Sequence, residues 1–481
     1  MTGIADAFMD STPVVCLAGQ VDSSLLGTDS FQEIDIIAIT QPITKWNCQI
    51  NNPDDIPATI EIAYRIAQSG RPGPVLISIT KDAQHKSTTL TNRIRPSRSQ
   101  SSYQANVSAD RTLLQQAAAL VNTAKMPYIL AGQGVLLAKA TEELRALAEK
   151  AGIPVATTLL GQSAFPCDHR LYTGWVGMHG TYGSNMLTTH CDVLLAVGMR
   201  FDERVTGDPA SFAQQAKVIH IDIDAAEINK VVKADMPLVG DARLILQGLT
   251  PLLERQDRTS WRDSFDRFDQ LEQEKVTTRE LAAITQKPTM AEVIHLLSEK
   301  TCGDAILVTD VGQHQMKASR YYRFRRPYSL VTSGGFGTMG FALPASIGAK
   351  VGAPDRDVIA IIGDGGFQMT LKELATLAHY QWPIKIILLN NNYLGMVRQW
   401  QQLFFDRRYS FVHLQNPDFM TIAKGFGINS QQCSQRSLLS SSLDALLHSQ
   451  KPYLLEVIVE QEENVFPIFP AGGTMDQIRL E

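Results

Sequence analysis

The stretch "GDGGFQMTLKELATLAHYQWPIKIILLNNNYLGM", residues 363–396, gathers the side chains best suited to chemistry. Asp364 follows the apolar run "VIAIIG", and Asn391 closes the next one, "IKIILLNN" (384–391). A helix between two such strands fits a right-handed crossover, which brings both strand ends to one edge of a parallel sheet. Ligands of open α/β sheets bind at that edge. One carboxylate, one amide oxygen and nearby backbone carbonyls suit Mg²⁺, which takes few protein oxygens and completes its shell with phosphate and water. Gly363, Gly365 and Gly366 let backbone N–H groups come close to that phosphate. Gly-Asp-Gly alone also reads as an ordinary glycine-rich turn; the asparagine pair at this spacing is what makes the signal specific.

Three blocks of elements would have to position these residues. The chain has 481 residues, room for about three domains of ~150 residues. With 44% hydrophobic residues, 19% charged and a net charge of −5, it is an ordinary globular chain with no bias toward nucleic acid or anionic membrane. No run approaches the ~18 apolar residues of a membrane span. The start carries Asp6 and Asp10 and lacks the basic region of a signal peptide, so the expected compartment is the cytoplasm. Six cysteines without metal spacing are expected to be buried free thiols.

Residues 1–85 hold a helix at 3–10, a strand at 13–18, a helix at 57–69 and a strand at 75–79. That is too little sheet for a complete doubly wound domain. The polar stretch 86–111 reads as a linker. Residues 112–255 alternate helix and apolar strand, with strands at 127–134, 154–159, 193–199 and 217–223, which implies a parallel sheet covered on both faces. A charged connector at 256–287 follows. Residues 288–481 repeat the alternation, with strands at 305–312, 358–366, 384–391 and 452–459. The fold class is therefore α/β, with three Rossmann-like doubly wound parallel sheets, the first cut short.

Gly-Asp-Gly followed by Asn-Asn resembles the diphosphate motif of thiamin-diphosphate enzymes. Further segments resemble the large, catalytic subunit of acetohydroxyacid (acetolactate) synthase: "GTDSFQEIDI" (27–36), "SGRPGPVLISITKD" (69–82), "GMHGTYGSN" (177–185), "VGMRFDERVTG" (197–207), "DVGQHQM" (310–316), "TSGGFGTMGFALPA" (332–345), "LGMVRQWQQLFF" (394–405) and "ENVFPIFPAGG" (463–473). The resemblance covers nearly the whole chain. It implies decarboxylation of pyruvate and joining of the two-carbon unit to a second pyruvate or to 2-oxobutyrate, in branched-chain amino-acid synthesis. Pyruvate oxidase, glyoxylate carboligase and a non-catalytic fragment are the competing readings.

By the same resemblance, Asp364, Asn391 and the Tyr393 carbonyl would hold Mg²⁺. Backbone at Gln313 and His314 would meet the diphosphate, although "GQHQ" also reads as a plain βα turn. Met339 would wedge beneath thiamin diphosphate, and Met396 would touch it; core packing is the alternative for a methionine. Arg204 would clamp the second substrate's carboxylate, unless it pairs with Asp202 or Glu203. Trp400 would form a wall favouring 2-oxobutyrate, unless it is core. Gln32, Phe31, Lys81 and His179 match positions around the same pocket, with a surface ion pair to Asp82 as the other reading of Lys81. The resemblance further implies a structural FAD near Arg71, Gly132, Gly134, Thr157, Leu159, Met178, His179, Arg200, Asp222, Ile223, Asn229 and Asp241. "AGQG" alone leaves a ligand-free spacer equally open. Partners implied are a second copy, as a dimer or dimer of dimers with interfacial sites, and a small regulatory subunit.

One departure stands out. The family's His-Glu-Gln-Gly-like segment, whose glutamate activates the cofactor, does not occur, and Glu33 belongs to another motif. The expectation is a chain lacking part of its first domain, with Val14, Val15, Leu17 and Ile77 incompletely covered, poor solubility and doubtful turnover.

Overall fold

A computed structural model describes residues 1–88, 110–282 and 285–481. They form two compact units, one built from the N-terminal block together with Ser333–Thr338 and the other from the remaining elements. Most of the linker expected at 86–111 lies outside the described residues.

In the first unit, β1 (Val15–Gln20), β2 (Trp46–Ile50) and β3 (Val75–Thr80) pair in parallel in the order β1-β3-β2. The apolar run of β3 takes the centre and is almost wholly buried, with Val75 and Ile77 joining Ala63 and Ala67 of the helix Ile56–Gln68 in a small core. Ile77, expected to be poorly covered, is therefore fully buried, because it has a strand on either side. Leu17 is 62% exposed, on the outer strand.

The helix Thr2–Met9 and the Asp10 that caps its end bring in two buried carboxylates, Asp6 and Asp10. Asp6 accepts hydrogen bonds from the hydroxyls of Ser333 and Thr338, and Asp10 accepts from the N–H groups of Gly334 (3.1 Å) and Gly335 (2.6 Å). Burying carboxylates is costly unless donors surround them, and the loop Ser333–Thr338 supplies those donors.

The second unit holds two six-stranded parallel sheets. The first contains β4 (Pro127–Ala131), β5 (Val155–Thr157), β6 (Tyr172–Trp175), β7 (Val193–Val197), β8 (Lys217–Asp222) and β9 (Met236–Val239), in the order β6-β5-β4-β7-β8-β9. The other contains β10 (Ile306–Thr309), β11 (Leu330–Thr332), β12 (Val358–Gly363), β13 (Lys385–Asn390), β14 (Asn429–Cys433) and β15 (Tyr453–Ile458), in the order β11-β10-β12-β13-β15-β14. Alternate residues of β4 enter opposite cores: Ile129 and Ala131 one, Tyr128 and Leu130 the other. Both faces are thus covered, as parallel sheets require, and the α/β architecture with three parallel sheets is as expected.

Helix Thr259–Glu272 carries the charged connector, but it is more than a tether. Trp261 and Phe265 are buried against the central sheet, and the Trp261 indole N–H donates to the Pro127 carbonyl at 2.8 Å. The cysteines are free, but the burial expected for all six holds only for Cys191 and Cys433. Cys16, Cys48 and Cys167 are half-buried on the margins of their cores, and Cys302, in a turn with φ at 51°, is exposed. Among the described residues no helix is long and apolar enough to cross a membrane.

Candidate active site

From β10 the chain turns one way in the last sheet, to β11, and from β12 it turns the other way, to β13. A crevice opens outside the carboxyl ends of two strands at such a reversal, and the loops after β10 and β12 carry Gln313–His314 and Gly363–Gly366. Asp364 begins the helix Asp364–Thr370 and Asn391 directly follows β13.

Asp364 is buried. Its Oδ2 accepts from the Asn392 N–H and the Asn416 side-chain amide, both at 2.8 Å, and Oδ1 from the Gly365 N–H at 3.1 Å. Burial nevertheless pushes its carboxyl up to about 6, with those donors pulling the other way. A bound cation would hold the carboxylate ionised. The Asn391 side-chain oxygen accepts from the Tyr393 N–H at 3.1 Å. Tyr393 faces His413 in an antiparallel bridge whose hydrogen bonds run through Asn392 and Leu394, so the Tyr393 carbonyl takes no part in that pair. Among the described residues no group of three or more His, Cys, Asp or Glu could hold a metal unaided. A site of one carboxylate, one amide and one carbonyl does not need such a group, and its oxygens suit Mg²⁺.

Two of the glycines here face polar side chains, while Gly365 faces Leu394 and Leu414. A Cβ on Gly363 would lie 3.0 Å from the His314 ring, and one on Gly366 would lie 1.7 Å from Asp310 Oδ2. Burial pushes His314 down to about 3, so the ring is neutral, and among the described residues its Nε2 has no hydrogen-bond partner. Asp310 Oδ2 and Gln313 Oε1 are likewise buried without one. Three unpartnered polar atoms around one crevice fit a polar ligand, since buried polar atoms are nearly always paired in a finished structure. The Gln313 amide is fixed by the Gln399 side chain (2.9 Å) and the Glu463 carbonyl (2.6 Å). The Met339 side chain ends 3.7 Å from where a Cβ on Gly365 would stand, beside the same loop.

Residues 310–457 match the family described as "Thiamine pyrophosphate enzyme, C-terminal TPP binding domain", and residues 114–249 match "Thiamine pyrophosphate enzyme, central domain". The chain is 42% identical over 488 residues to a probable acetolactate synthase large subunit of Methanocaldococcus jannaschii, covering 99% of this chain and 82% of that protein. It is 43% identical over 494 residues to the acetolactate synthase large subunit of Corynebacterium glutamicum, covering 100% and 77%. With the acetolactate synthase isozyme 2 large subunit of Escherichia coli it shares 40% identity over 479 residues, covering 99% and 85%. This chain belongs to the acetolactate synthase large-subunit family.

Two residues that matched the family's acceptor site meet in the structure. The Arg204 guanidinium lies 5.8 Å from the Trp400 ring centroid, and its Nη1 lies 3.4 Å from Met178 Sδ. Arg204 also approaches Glu203, at 3.6 Å between exposed groups, a pair of small energetic weight. Trp400 is half-buried beside Phe404. His179 is buried; burial pushes it down to about 3, and its Nδ1 lies 3.3 Å from the Pro467 carbonyl. Met396 packs with Trp175, Met316 and Leu159.

In the first unit Phe31, Gln32 and Lys81 are exposed. The Lys81–Asp82 pair is not formed: Asp82 is held by Lys86 (2.7 Å) and by Ser23 instead. Glu33 accepts backbone N–H groups from residues 27–30, which pulls its carboxyl below the usual range and gives it a loop-closing role. Arg71 Nε donates to Ser11 Oγ at 2.9 Å.

Strand order in the central sheet reverses between β4 and β7, the arrangement that binds dinucleotides in doubly wound sheets. Gly132 and Gly134 follow β4, Thr157 ends β5, Leu159 lies two residues on, Arg200 follows β7, and Asp222 ends β8 with Ile223 after it, so all lie along one edge. Asp222 accepts from the Asp224 N–H, Asn229 from the Ala234 N–H, and Asp241 caps the helix Ala242–Leu249 through the Leu244 N–H. The topology suits FAD.

Asp310 and Asn416 were missed from sequence. Asp310 is an acidic residue at a carboxyl strand end, a signal that was available. Asn416, in "LQNPDF", has no local mark.

Proposed function

We propose that this chain joins the two-carbon unit of pyruvate, after loss of CO₂, to a second 2-oxo acid, giving 2-acetolactate from pyruvate or 2-aceto-2-hydroxybutyrate from 2-oxobutyrate. The reading is supported above all by Arg204 standing over Trp400, in a chain whose relatives are named acetolactate synthases. An arginine fork binds a carboxylate bidentately, and an indole beside it offers the apolar wall that an extra methyl group prefers.

Thiamin diphosphate supplies, when bound, the carbon centre and electron sink on which such chemistry depends. In this reading the side-chain oxygens of Asp364 and Asn391 and the Tyr393 carbonyl hold Mg²⁺. Backbone at Gln313, His314, Gly363, Gly365 and Gly366 cradles the diphosphate, and Met339 and Met396 flank the rings. Arg204 orients the second 2-oxo acid, Trp400 selects it and His179 serves beside them, with Gln32, Phe31 and Lys81 as further catalytic residues. His179, neutral through burial, serves as a hydrogen-bonding group and not as a charge. FAD occupies the central sheet's edge as a structural element. The functional assembly is a dimer or dimer of dimers, joined by a small regulatory subunit, in the cytoplasm.

The test is product analysis of the purified chain with thiamin diphosphate, Mg²⁺ and FAD, given pyruvate alone and pyruvate with 2-oxobutyrate. Acetolactate, and acetohydroxybutyrate once 2-oxobutyrate is present, is the expected result. Acetate or tartronate semialdehyde as the main product of the cofactor-loaded chain would overturn it.

A further inference from the structure

Asp310, which the proposed reaction leaves without a role, is the meeting point of three loops. We propose that it is a positioning residue that sets the spacing between Met339–Gly340 and the diphosphate loop Gly363–Gly366; this rests on the cofactor reading above. The carboxylate is wholly buried. Its Oδ1 accepts from its neighbour Val311 N–H at 2.9 Å and from the Gly340 N–H at 2.8 Å. The Gly340 carbonyl is held in turn by the Thr370 hydroxyl at 2.9 Å, at the far end of the helix that Asp364 begins. Gly340, next to Met339, is thereby held at both its N–H and its carbonyl, and its φ of +83° leaves glycine the natural occupant.

The other oxygen, Oδ2, faces Gly366. The three atoms nearest to a Cβ at that position, at 1.7, 2.8 and 3.5 Å, all belong to Asp310. Among the described residues Oδ2 has no hydrogen-bond partner; what it gives Gly366 is contact. One carboxylate is a hook for Gly340 and a spacer against Gly366. A leucine at 310 would fill space without the hook.

The experiment is calorimetric titration of Mg²⁺–thiamin diphosphate into D310N, D310A, G366A and D310A/G366A, with melting temperatures of the unloaded chains and near-ultraviolet circular dichroism of the loaded ones. D310A and G366A should each weaken binding roughly tenfold or more, from the loss of a charged hydrogen-bond acceptor and from steric overlap respectively. D310N keeps an oxygen for both N–H groups and the same volume, so it should bind within about threefold of the parent and restore the dichroism. The double variant should bind roughly tenfold better than the two single losses multiplied, because the alanine methyl enters space the carboxylate left. Should D310A not fold, D310S replaces it in the cycle. Parent-like binding by D310A, multiplicative effects, or a D310N loss equal to that of D310A would overturn the proposal while leaving the cofactor reading intact. A parent that does not bind the cofactor removes both.

Discussion

The central and last sheets each reverse strand order at one point, and the glycines at the two reversals meet different neighbours. At the central reversal backbone meets backbone. A Cβ on Gly132 would lie 2.2 Å from the Gly198 carbonyl oxygen and one on Gly134 2.6 Å from the Gly198 Cα, while the Gly134 N–H donates to that same carbonyl at 2.8 Å. At the last sheet's reversal Gly363 and Gly366 border His314 and Asp310, each with a buried atom that none of the described residues satisfies. Glycine count is the same kind of signal in both places. What separates them is whether the polar atoms around the glycines are already paired.

The largest effect should come from the open reversal. Asp364→Ala removes a buried charged ligand, and calorimetry should show Mg²⁺–thiamin diphosphate affinity falling by about 3 kcal/mol or more. Unchanged affinity would break the comparison at its root. At the central reversal, Gly132→Ala should cost about 2–3 kcal/mol of stability through overpacking, read as a shift of the urea midpoint. Any of the folded variant that survives should bind Mg²⁺–thiamin diphosphate as the parent does. A loss of that affinity without loss of stability would mean the two edges are not separate in role.

Trp400→Leu tests the acceptor side. Losing the indole wall should reduce discrimination for 2-oxobutyrate by about 1–2 kcal/mol, read as the ratio of the two products under competition, with total pyruvate consumption largely retained. A constant ratio would leave Trp400 as packing.

The smallest effect sharpens the electrostatic half of the contrast. Asp269, like Asp364, is pushed up, here to about 7, mainly by burial and then by Glu272. Its folded value lies above the unfolded ~3.9, so the stability tied to its neutral form is fully present below about pH 4 and lost as pH rises through 7. Asp269→Asn should therefore be the more stable chain at pH 8, by about 1 kcal/mol once solvent screening is allowed for, with the gap closing toward pH 4. Mg²⁺ should not alter that gap, whereas it should alter the titration of Asp364.

How far the sequence could be read follows from where a strand sits. The central strands β4, β7, β8, β10, β12, β13 and β15 are apolar on both faces and stand out as continuous runs. The five strands that escaped notice are β2, β6, β9, β11 and β14, and every one lies at the outer margin of its sheet. "WNCQI" and "NSQQC" are half-wet, so their pattern is polar; "YTGW", "MPLV" and "LVT" are too short to announce themselves. The site divides the same way. Asp364 and Asn391 were legible because strand–helix–strand spacing fixes their edge. Asn416 was not, because only the tertiary fold carries it 52 positions along the chain to Asp364. The pairing of Arg204 with Trp400 came from motif likeness alone, since no periodicity links the central sheet to a helix after β13.

The clamp of Asp6 and Asp10 on the loop Ser333–Thr338 has a bearing on the order of events during synthesis. Asp6 and its partner Ser333 are 327 positions apart, so the first unit is finished by residues that are among the later ones made. At ~5–20 residues per second, roughly 15–65 s pass between the emergence of the two. Through that interval the two aspartates lack the donors that Ser333–Thr338 will supply. The N-terminal unit can collapse early around β3, but its contacts with Ser333–Thr338 cannot form until those residues have been made.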